Sequence, residues 1–513
     1  MILVAIVFVP IASGLAAWLS ERISGRLPRV VSLAGFIVDL LLVALLWGEA
    51  SLRPSGAGPW IASFRAAWHP LPAVSFHLAA DGVSLVLLAL TAFLGCMAAA
   101  ASWTEITERT GFFHLCLSWT VAGVAGVFCA LDLFLFYFAW ELMLVPMYFL
   151  IALWGHEDRF RAAVKFFIFT QVSGLLMLVA ILGLYFAHIN IGGVATFDYP
   201  ALFATPLSPS VALLVQAGFL AAFLVKLPAV PFHTWLPDAH TQAPTAGSIV
   251  LAGLLLKTGA YGIIRFSVPL FAQAGGQPAF PLAVLGVASI LYGALLAFGQ
   301  NDVKRLVAYT SVSHMGFVLT GVVLGSGIAF QGAMIQIVSH GLSTGALFVM
   351  AGILQERLGT RDMGRMGAFW TDAPRMGGFL MCFALASMGL PGLGNFVGEF
   401  LVVLGAYRVS PALAAFASAG FIFSTAYSLR LVHRVFFGER KDTKQPIADL
   451  SGRETAVMLL MLVPLLWLGL APQGVIDRVK GSGTVQAAAK DGHAAGHAPV
   501  AAVEARDVRG GAR

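Results

Sequence analysis

Apolar runs of about twenty residues recur along the whole chain, and this spacing constrains the fold more than any other feature. Only 11% of the 513 residues are charged and 59% are hydrophobic, whereas a soluble domain carries about 25% charged residues. Since a transmembrane helix needs about 20 apolar residues, the length predicts an all-α integral membrane protein of about 14 helices. We predict spans at 2–19, 29–48, 80–101, 111–130, 132–154, 162–188, 209–227, 246–266, 281–299, 305–324, 328–354, 376–408, 411–437 and 455–471.

Two of these spans, the seventh and the twelfth, are interrupted by proline and glycine at Lys226–Pro237 and Ser387–Phe400. Interrupted helices in corresponding places indicate inverted repeats with a site near the membrane midplane. We therefore predict helices 1–3 in residues 1–110, then two five-helix repeats and a final helix before a disordered Ala/Gly/His-rich tail. The repeats are expected at 111–268 and 279–437, the last helix at 455–471 and the tail at 481–513.

Basic residues alternate between successive connections, with arginine and lysine clustered after the first, fifth, ninth, eleventh and thirteenth spans. By the positive-inside rule, both termini are expected on the non-cytoplasmic side. Asp302, Lys304 and Arg305 are interpreted as part of a solvated connection. The net charge of +6 indicates no nucleic-acid partner, and the four cysteines lack the spacing of metal ligands.

Ionisable residues inside the spans are the main functional signal, because a charge at the bilayer centre costs at least about 2.5–3.5 kcal/mol. Glu141 lies within the fifth span, and Lys226 at the first break is its natural partner. Lys257 lies in the middle of the eighth span and is predicted to carry protons. The alternatives are a static packing pair for the first two residues and a fixed structural cation for Lys257.

Histidines and a glutamate extend this set into the second half of the chain. His314 and His340 lie on polar stripes of adjacent spans and are predicted to form a relay, with core hydrogen bonding as the alternative. Glu399 follows the second break, where it is expected to match Lys226 in the repeat and to act as the terminal proton site. The first break also contains candidates for gating proton uptake, which could equally satisfy a turn, namely His233, Asp238 and His240.

Three segments are similar to the antiporter-like, proton-pumping membrane subunits of respiratory complex I. They read WELMLVPMY, KLPAVPFHTWLPDAHTQAPTAGSIVLAGLLLKTGAYG and AYTSVSHMGF. The resemblance covers residues 75–440 and implies a 14-helix fold with two inverted repeats. It also implies roles in proton translocation for the matching residues, namely Glu141, Lys226, Lys257, His314, His340 and Glu399. A glutamate instead of a lysine at 399 is typical of one subunit type within the family.

The resemblance implies a subunit of a proton-translocating NADH:quinone oxidoreductase in the bacterial inner membrane. Its expected partners are the lipid bilayer and neighbouring antiporter-like subunits. No cofactor is expected in this chain, whereas flavin, iron–sulfur clusters and quinone are expected in other subunits, because no GxGxxG motif after a strand and no cysteine cluster is present. Alternatives are a multi-subunit Na⁺/H⁺ antiporter or membrane-bound hydrogenase, and a purely structural scaffold; a quinone site is weaker.

Overall fold

The computed structural model describes residues 1–52, 58–69, 73–269, 279–439 and 447–480, and the predicted disordered tail lies outside them. Nearly all of the described chain is helical. The helices are α1 (Ile2–Ser20), α2 (Leu27–Leu52), α3 (Gly82–Ala101), α4 (Thr110–Cys129), α5 (Leu133–Trp154), α6 (Arg159–Asn190), α7 (Tyr199–Phe203), α8 (Pro209–Lys226), α9 (Trp235–Gln242), α10 (Thr245–Ser267), α11 (Ala279–Phe298), α12 (Val303–Val323), α13 (Gly327–Leu358), α14 (Pro374–Ser387), α15 (Gly394–Val409), α16 (Pro411–Phe436), α17 (Gly452–Leu470) and α18 (Gln473–Lys480).

In the described residues, thirteen helices are long and apolar enough to cross a membrane. The remaining predicted span, 376–408, is divided into α14 and α15, which have 14 and 16 residues and are each too short to cross alone. The all-α membrane architecture expected from the hydropathy pattern is therefore confirmed.

The same capping arrangement occurs at the start of α5 and at the start of α12. Asp132 and Asp302 each cap their helix, and each pairs through its backbone with a later aspartate, Asp198 and Asp362 respectively. The amide after each cap donates to the carbonyl preceding that later aspartate, at 2.9 Å and 3.0 Å. Because these helices are the fifth and tenth spans, the two arrangements lie at opposite ends of the bundle, as inverted repeats require. The repeat boundaries themselves stay a prediction.

Both predicted interruptions are present, and each has a local cause. The first half-helix of the seventh span ends at Lys226, and the next helix begins at Trp235 after two prolines that cannot donate backbone hydrogen bonds. The second break separates Ser387 from the start of α15. There Gly389 and Gly392 have φ angles of +77° and +95°, which residues with a Cβ rarely adopt.

A β-hairpin that the hydropathy pattern does not reveal precedes α3. Strands β1 (Ala62–His69) and β2 (Val74–Ala80) pair antiparallel, and Asp81 follows directly as the N-cap of α3. Asp81 also forms a buried ion pair of 2.8 Å with Arg265 near the end of α10. Hairpin and ion pair together fix this end of α3 against α10.

The expectation that Lys304 is solvated is wrong. Its side chain is fully buried, and its ammonium donates a hydrogen bond to the carbonyl of Ala243 between α9 and α10. Asp302 and Arg305, by contrast, are accessible to solvent. The first turn of α12 therefore directs one of its three charged side chains into the protein, because helical neighbours point in different directions.

Candidate functional site

Glu141 lies on α5, at a point where the neighbouring helix α6 approaches its side chain closely. The side chain is half-buried, and its Oε1 atom is buried with no hydrogen-bond partner among the described residues. A glycine, Gly174, makes the approach of α6 possible, because a Cβ there would lie only 3.0 Å from Oε1. The close approach of α6 therefore leaves one buried carboxylate oxygen of Glu141 without a hydrogen bond among the described residues.

Lys226, the last residue of α8, is fully enclosed but does not contact Glu141 directly. No ion pair within 4.0 Å joins the two side chains, and Nζ has no hydrogen-bond partner among the described residues. Nζ instead lies 5.2 Å from the ring centre of Trp140 and 5.6 Å from that of Phe166. In the structure the two side chains are therefore apart, and the ammonium of Lys226 makes cation–π contacts instead; the pairing with Glu141 stays a prediction.

Lys257 lies at the centre of the bundle, just after a π-helical turn at Leu251–Leu255 within α10. Such turns interrupt the regular hydrogen-bond ladder and are frequent at functional sites. The buried Nζ donates to the carbonyl of Ala252 at 2.5 Å and lies 2.6 Å from Nδ1 of His340 on α13. A carbonyl alone would suit a fixed structural cation, whereas the imidazole provides a second group that can exchange a proton.

The His314 imidazole links α12 to both halves of the broken twelfth span. Its Nδ1 shares a hydrogen bond of 2.7 Å with Oε1 of Glu399 on α15, and its Nε2 lies 3.1 Å from Oγ of Ser387 on α14. Gln336 donates to the same Glu399 oxygen at 2.8 Å, and the Tyr427 hydroxyl lies 3.4 Å from His314 Nε2. Every group in this cluster is buried and can donate or accept hydrogen bonds.

Lys257, His340, His314 and Glu399 consequently form one line of ionisable groups. The two imidazole centres are 5.7 Å apart, and the outer two residues bond directly to the ring next to them. No hydrogen bond or ion pair within the described part of the chain extends this line to Lys226. The predicted constellation therefore divides into a Glu141–Lys226 portion and a second portion, in which hydrogen bonds join Lys257 to His340 and His314 to Glu399.

Glu399 does not occupy the position that corresponds to Lys226, so that expectation is wrong. Lys226 ends the first half-helix of its broken span, and the residue that ends the first half of the other broken span is Ser387. Glu399 lies in the second half-helix, α15. The two breaks therefore place their ionisable residues on different sides of the interruption.

Asp238 and His233, two of the three gating candidates, have different environments. Asp238 forms ion pairs with Lys165 at 2.6 Å and with Arg305 at 3.2 Å, and it remains partly exposed. His233 is buried, and its ring lies edge-to-face against Tyr292 with centres 5.6 Å apart. Asp238 thus belongs to an ion-pair cluster at the surface, and its role in gating proton uptake stays a prediction.

His240, the third candidate, is fully buried on α9. Its ring stacks on Phe348 with centres 4.5 Å apart, and neither ring nitrogen has a hydrogen-bond partner among the described residues. Both Lys257 and Lys304 lie within electrostatic range of this imidazole. The imidazole therefore lies in the field of two buried cations, and its gating role stays a prediction.

Several residues of the site were not singled out in the sequence. Trp140 directly precedes Glu141, and Ser387 opens the glycine-rich second break, so both lie inside segments that already carried a signal. Phe166 and Tyr427 lie outside the segments that carried a signal. Among the described residues, no group of three histidine, cysteine, aspartate or glutamate side chains is placed to hold a metal ion.

Among the described residues, thirteen helices of membrane-spanning length, two broken spans and a buried line of lysine, histidine and glutamate define an antiporter-like membrane subunit. A family model described as "NADH:quinone oxidoreductase/Mrp antiporter, TM" matches residues 130–424. The chain belongs to this family.

The relatives identify the subunit type. The chain is 51% identical to NADH-quinone oxidoreductase subunit M of Pseudomonas aeruginosa and 48% identical to that of Escherichia coli, covering 93% of this chain and 96% of each relative. It matches a chain of respiratory complex I from Thermus thermophilus with a TM-score of 0.83 at 33% identity, covering 96% and 99% of the two chains. It also matches the Mrp complex of a Dietzia species with a TM-score of 0.80, covering 94% and 99%; at 20% identity, this match shows the fold alone. The subunit type expected from Glu399 is confirmed.

Proposed function

We propose that this chain is a proton-translocating subunit M of a bacterial NADH:quinone oxidoreductase. The observation that carries the proposal is the buried line from Lys257 through the two histidines to Glu399, with hydrogen bonds of 2.6 Å and 2.7 Å at its ends. Charged groups inside a membrane bundle are costly and mark ion pathways or proton relays. The similarity to subunits M supports electron transfer elsewhere in the complex as the driving reaction.

Proton transfer along this line alternates between groups that can each hold one proton. Lys257 gives a proton to His340, the proton moves to His314, and Glu399 receives it at the far end. Glu141 and Lys226 act as the coupling pair: closing their separation stabilises the charged lysine, and reopening it favours release. Water carries the proton between Lys226 and Lys257, because these two side chains do not contact each other directly.

The chain functions within an assembly in the bacterial inner membrane. Neighbouring antiporter-like subunits and lipid are its partners, while flavin, iron–sulfur clusters and quinone belong to other subunits of the complex. The basic connections face the cytoplasm and both termini face away from it, according to the positive-inside rule. Protons move outward, against a potential that costs about 2.3 kcal/mol per charge per 100 mV.

Inverted membrane vesicles that contain the whole complex provide the test. Lys257→Ala and Glu141→Ala are expected to abolish NADH-driven acidification of the vesicle interior while the amount of assembled complex is unchanged. Acidification at the parental rate in both variants would refute the proposal. Loss of assembly would favour a structural scaffold, and sodium-dependent exchange without NADH would favour a Na⁺/H⁺ antiporter.

A further inference from the structure

A cavity of about 310 Å³ opens at the end of the bundle where α3, α5 and α13 end and α17 begins. Three of the residues that line it are glutamates, Glu105, Glu356 and Glu454, against one arginine, Arg453. This end carries the basic connections and is therefore the cytoplasmic end under the proposed function. Carboxylates attract protons, so an acidic cavity on a basic face needs an explanation.

The three glutamates differ in what they bind. Glu454 is held by an arginine of α13 at 2.6 Å, and Glu356 is exposed at the rim. Glu105 reaches inward, where both of its carboxylate oxygens accept from the Thr245 amide at 3.0 Å and 3.2 Å. Thr245 is the first residue of α10, the helix that carries Lys257. The innermost carboxylate of the cavity is thus attached to the start of the helix with the central lysine.

Lys304 lies within electrostatic range of Glu105, and its ammonium donates a hydrogen bond to the carbonyl of Ala243. Burial raises the pKa of Glu105, and this effect outweighs the opposite effects of Lys304 and of the Thr245 amide. Burial, together with two nearby cations, lowers the pKa of His156, the imidazole that lines the cavity, to about 3. Glu105 is therefore better suited than His156 to bind a proton here.

His240 stacks on Phe348, whose neighbour in α13, Val349, lines the cavity. It is fully buried and lies within electrostatic range of both Lys304 and Lys257, and its two ring nitrogens have no hydrogen-bond partner among the described residues. A buried donor and acceptor without partners are costly and rare in a folded protein. Both ring nitrogens of His240 are therefore free of protein partners among the described residues, so that one can accept a proton and the other can donate one.

We propose that this cavity is the proton-uptake site of the subunit, with Glu105 as the proton-binding group and His240 as the relay to Lys257. The inference rests on the proposed function and assigns its uptake route. A hydronium ion in the cavity protonates the Glu105 carboxylate, the carboxyl passes the proton to neutral His240, and the imidazolium passes it to the neutral amine of Lys257. Lys304 remains charged and acts on Glu105 electrostatically, while the Thr245 amide holds the carboxylate in position. Each step moves one proton and no electron.

A second polar cavity, at Asp238, is less suitable for this role. It is lined by Asp158, Arg161, Asp238 and Arg305, and Asp238 is already paired with cations. Two arginines in the lining oppose the approach of a hydronium ion. The acidic lining of the first cavity favours uptake there.

Inverted vesicles carrying the whole complex test the assignment. Glu105→Gln keeps an oxygen that can accept from Thr245 but cannot bind a proton. We expect it to slow NADH-driven acidification by about tenfold or more without lowering the amount of assembled complex. Glu108→Gln is the matched control, because Glu108 is an exposed carboxylate of the same loop, and its rate should equal that of the parent.

His240→Phe provides an independent variant, since a phenyl ring can keep the stacking on Phe348 but cannot carry a proton. It should cause the same loss. Because electron transfer is coupled to proton uptake, Glu105→Gln should also slow NADH oxidation, and formic acid, a small permeant proton donor, should restore that oxidation. A loss of oxidation that formic acid does not restore points to a structural role and overturns the proposal. Parental acidification in Glu105→Gln or in His240→Phe also overturns it. If Lys257→Ala still abolishes acidification in that case, the proposed function stands and only the uptake route is wrong.

Discussion

The close approach of α6 to Glu141 at Gly174 permits a direct test of the space beside the carboxylate. The Cβ introduced by Gly174→Ala would lie 3.0 Å from Oε1 of Glu141 and 3.6 Å from Nε1 of Trp140. Neither of these buried atoms has a hydrogen-bond partner among the described residues. A water molecule bound between such groups would be excluded by the added methyl group.

Two effects of Gly174→Ala on stability oppose each other. Replacing glycine by alanine inside a helix stabilises it by about 1 kcal/mol, whereas overpacking a tight site costs about 1–3 kcal/mol. The net change is within about 2 kcal/mol, so the subunit should still fold and assemble. The stabilisation of α6 by alanine is the same whether Glu141 is ionised or neutral. It therefore cannot offset a free-energy cost that falls only on the ionised carboxylate. Loss of a hydrogen bond to the ionised carboxylate costs about 1.5–3 kcal/mol, which corresponds to proton transfer slower by about 10- to 150-fold.

The assay is NADH-driven acidification of inverted vesicles, with the assembled complex quantified on native gels. Gly183→Ala is the matched control, because Gly183 lies on the same helix and a Cβ there would meet no atom within 4 Å. We expect the control to pump at the parental rate. Equal rates for Gly174→Ala and Gly183→Ala would refute the idea that this space serves proton transfer.

Three further predictions concern single contacts. Ser387→Ala removes the 3.1 Å contact to His314, and a lost hydrogen bond of about 1 kcal/mol should slow acidification about fivefold; an unchanged rate would contradict this. Asp81→Asn leaves Arg265 without its buried counter-ion at a cost of about 3–5 kcal/mol, so the amount of assembled complex should fall, as native gels would show. Burial alone would raise the pKa of Asp449, but three backbone amides and an arginine outweigh it and lower that pKa. Stabilisation by Asp449 should therefore be complete above pH 4 and lost only below it, measured as the difference in thermal stability between parent and Asp449→Asn from pH 3 to 6.

Some residues of the site are recognisable from the sequence, whereas others depend on how the helices pack. The cost of a charge in hydrocarbon is a property of the residue and its neighbours in sequence, so Glu141, Lys257 and Glu399 could be recognised without a structure. The same reasoning failed for Lys304, because a charged residue beside a connection can point either way. Its burial depends on how α12 packs against the start of α10.

By itself, the sequence determined the spans, the two breaks and the ionisable residues, because hydropathy, proline and glycine act over distances of a few residues. Only the tertiary structure decided which of these groups meet. His314 and Glu399 are 85 residues apart in the chain, and Lys257 and His340 are 83 apart. Such contacts depend on helix rotation and side-chain direction within the packed bundle, which a linear pattern does not specify.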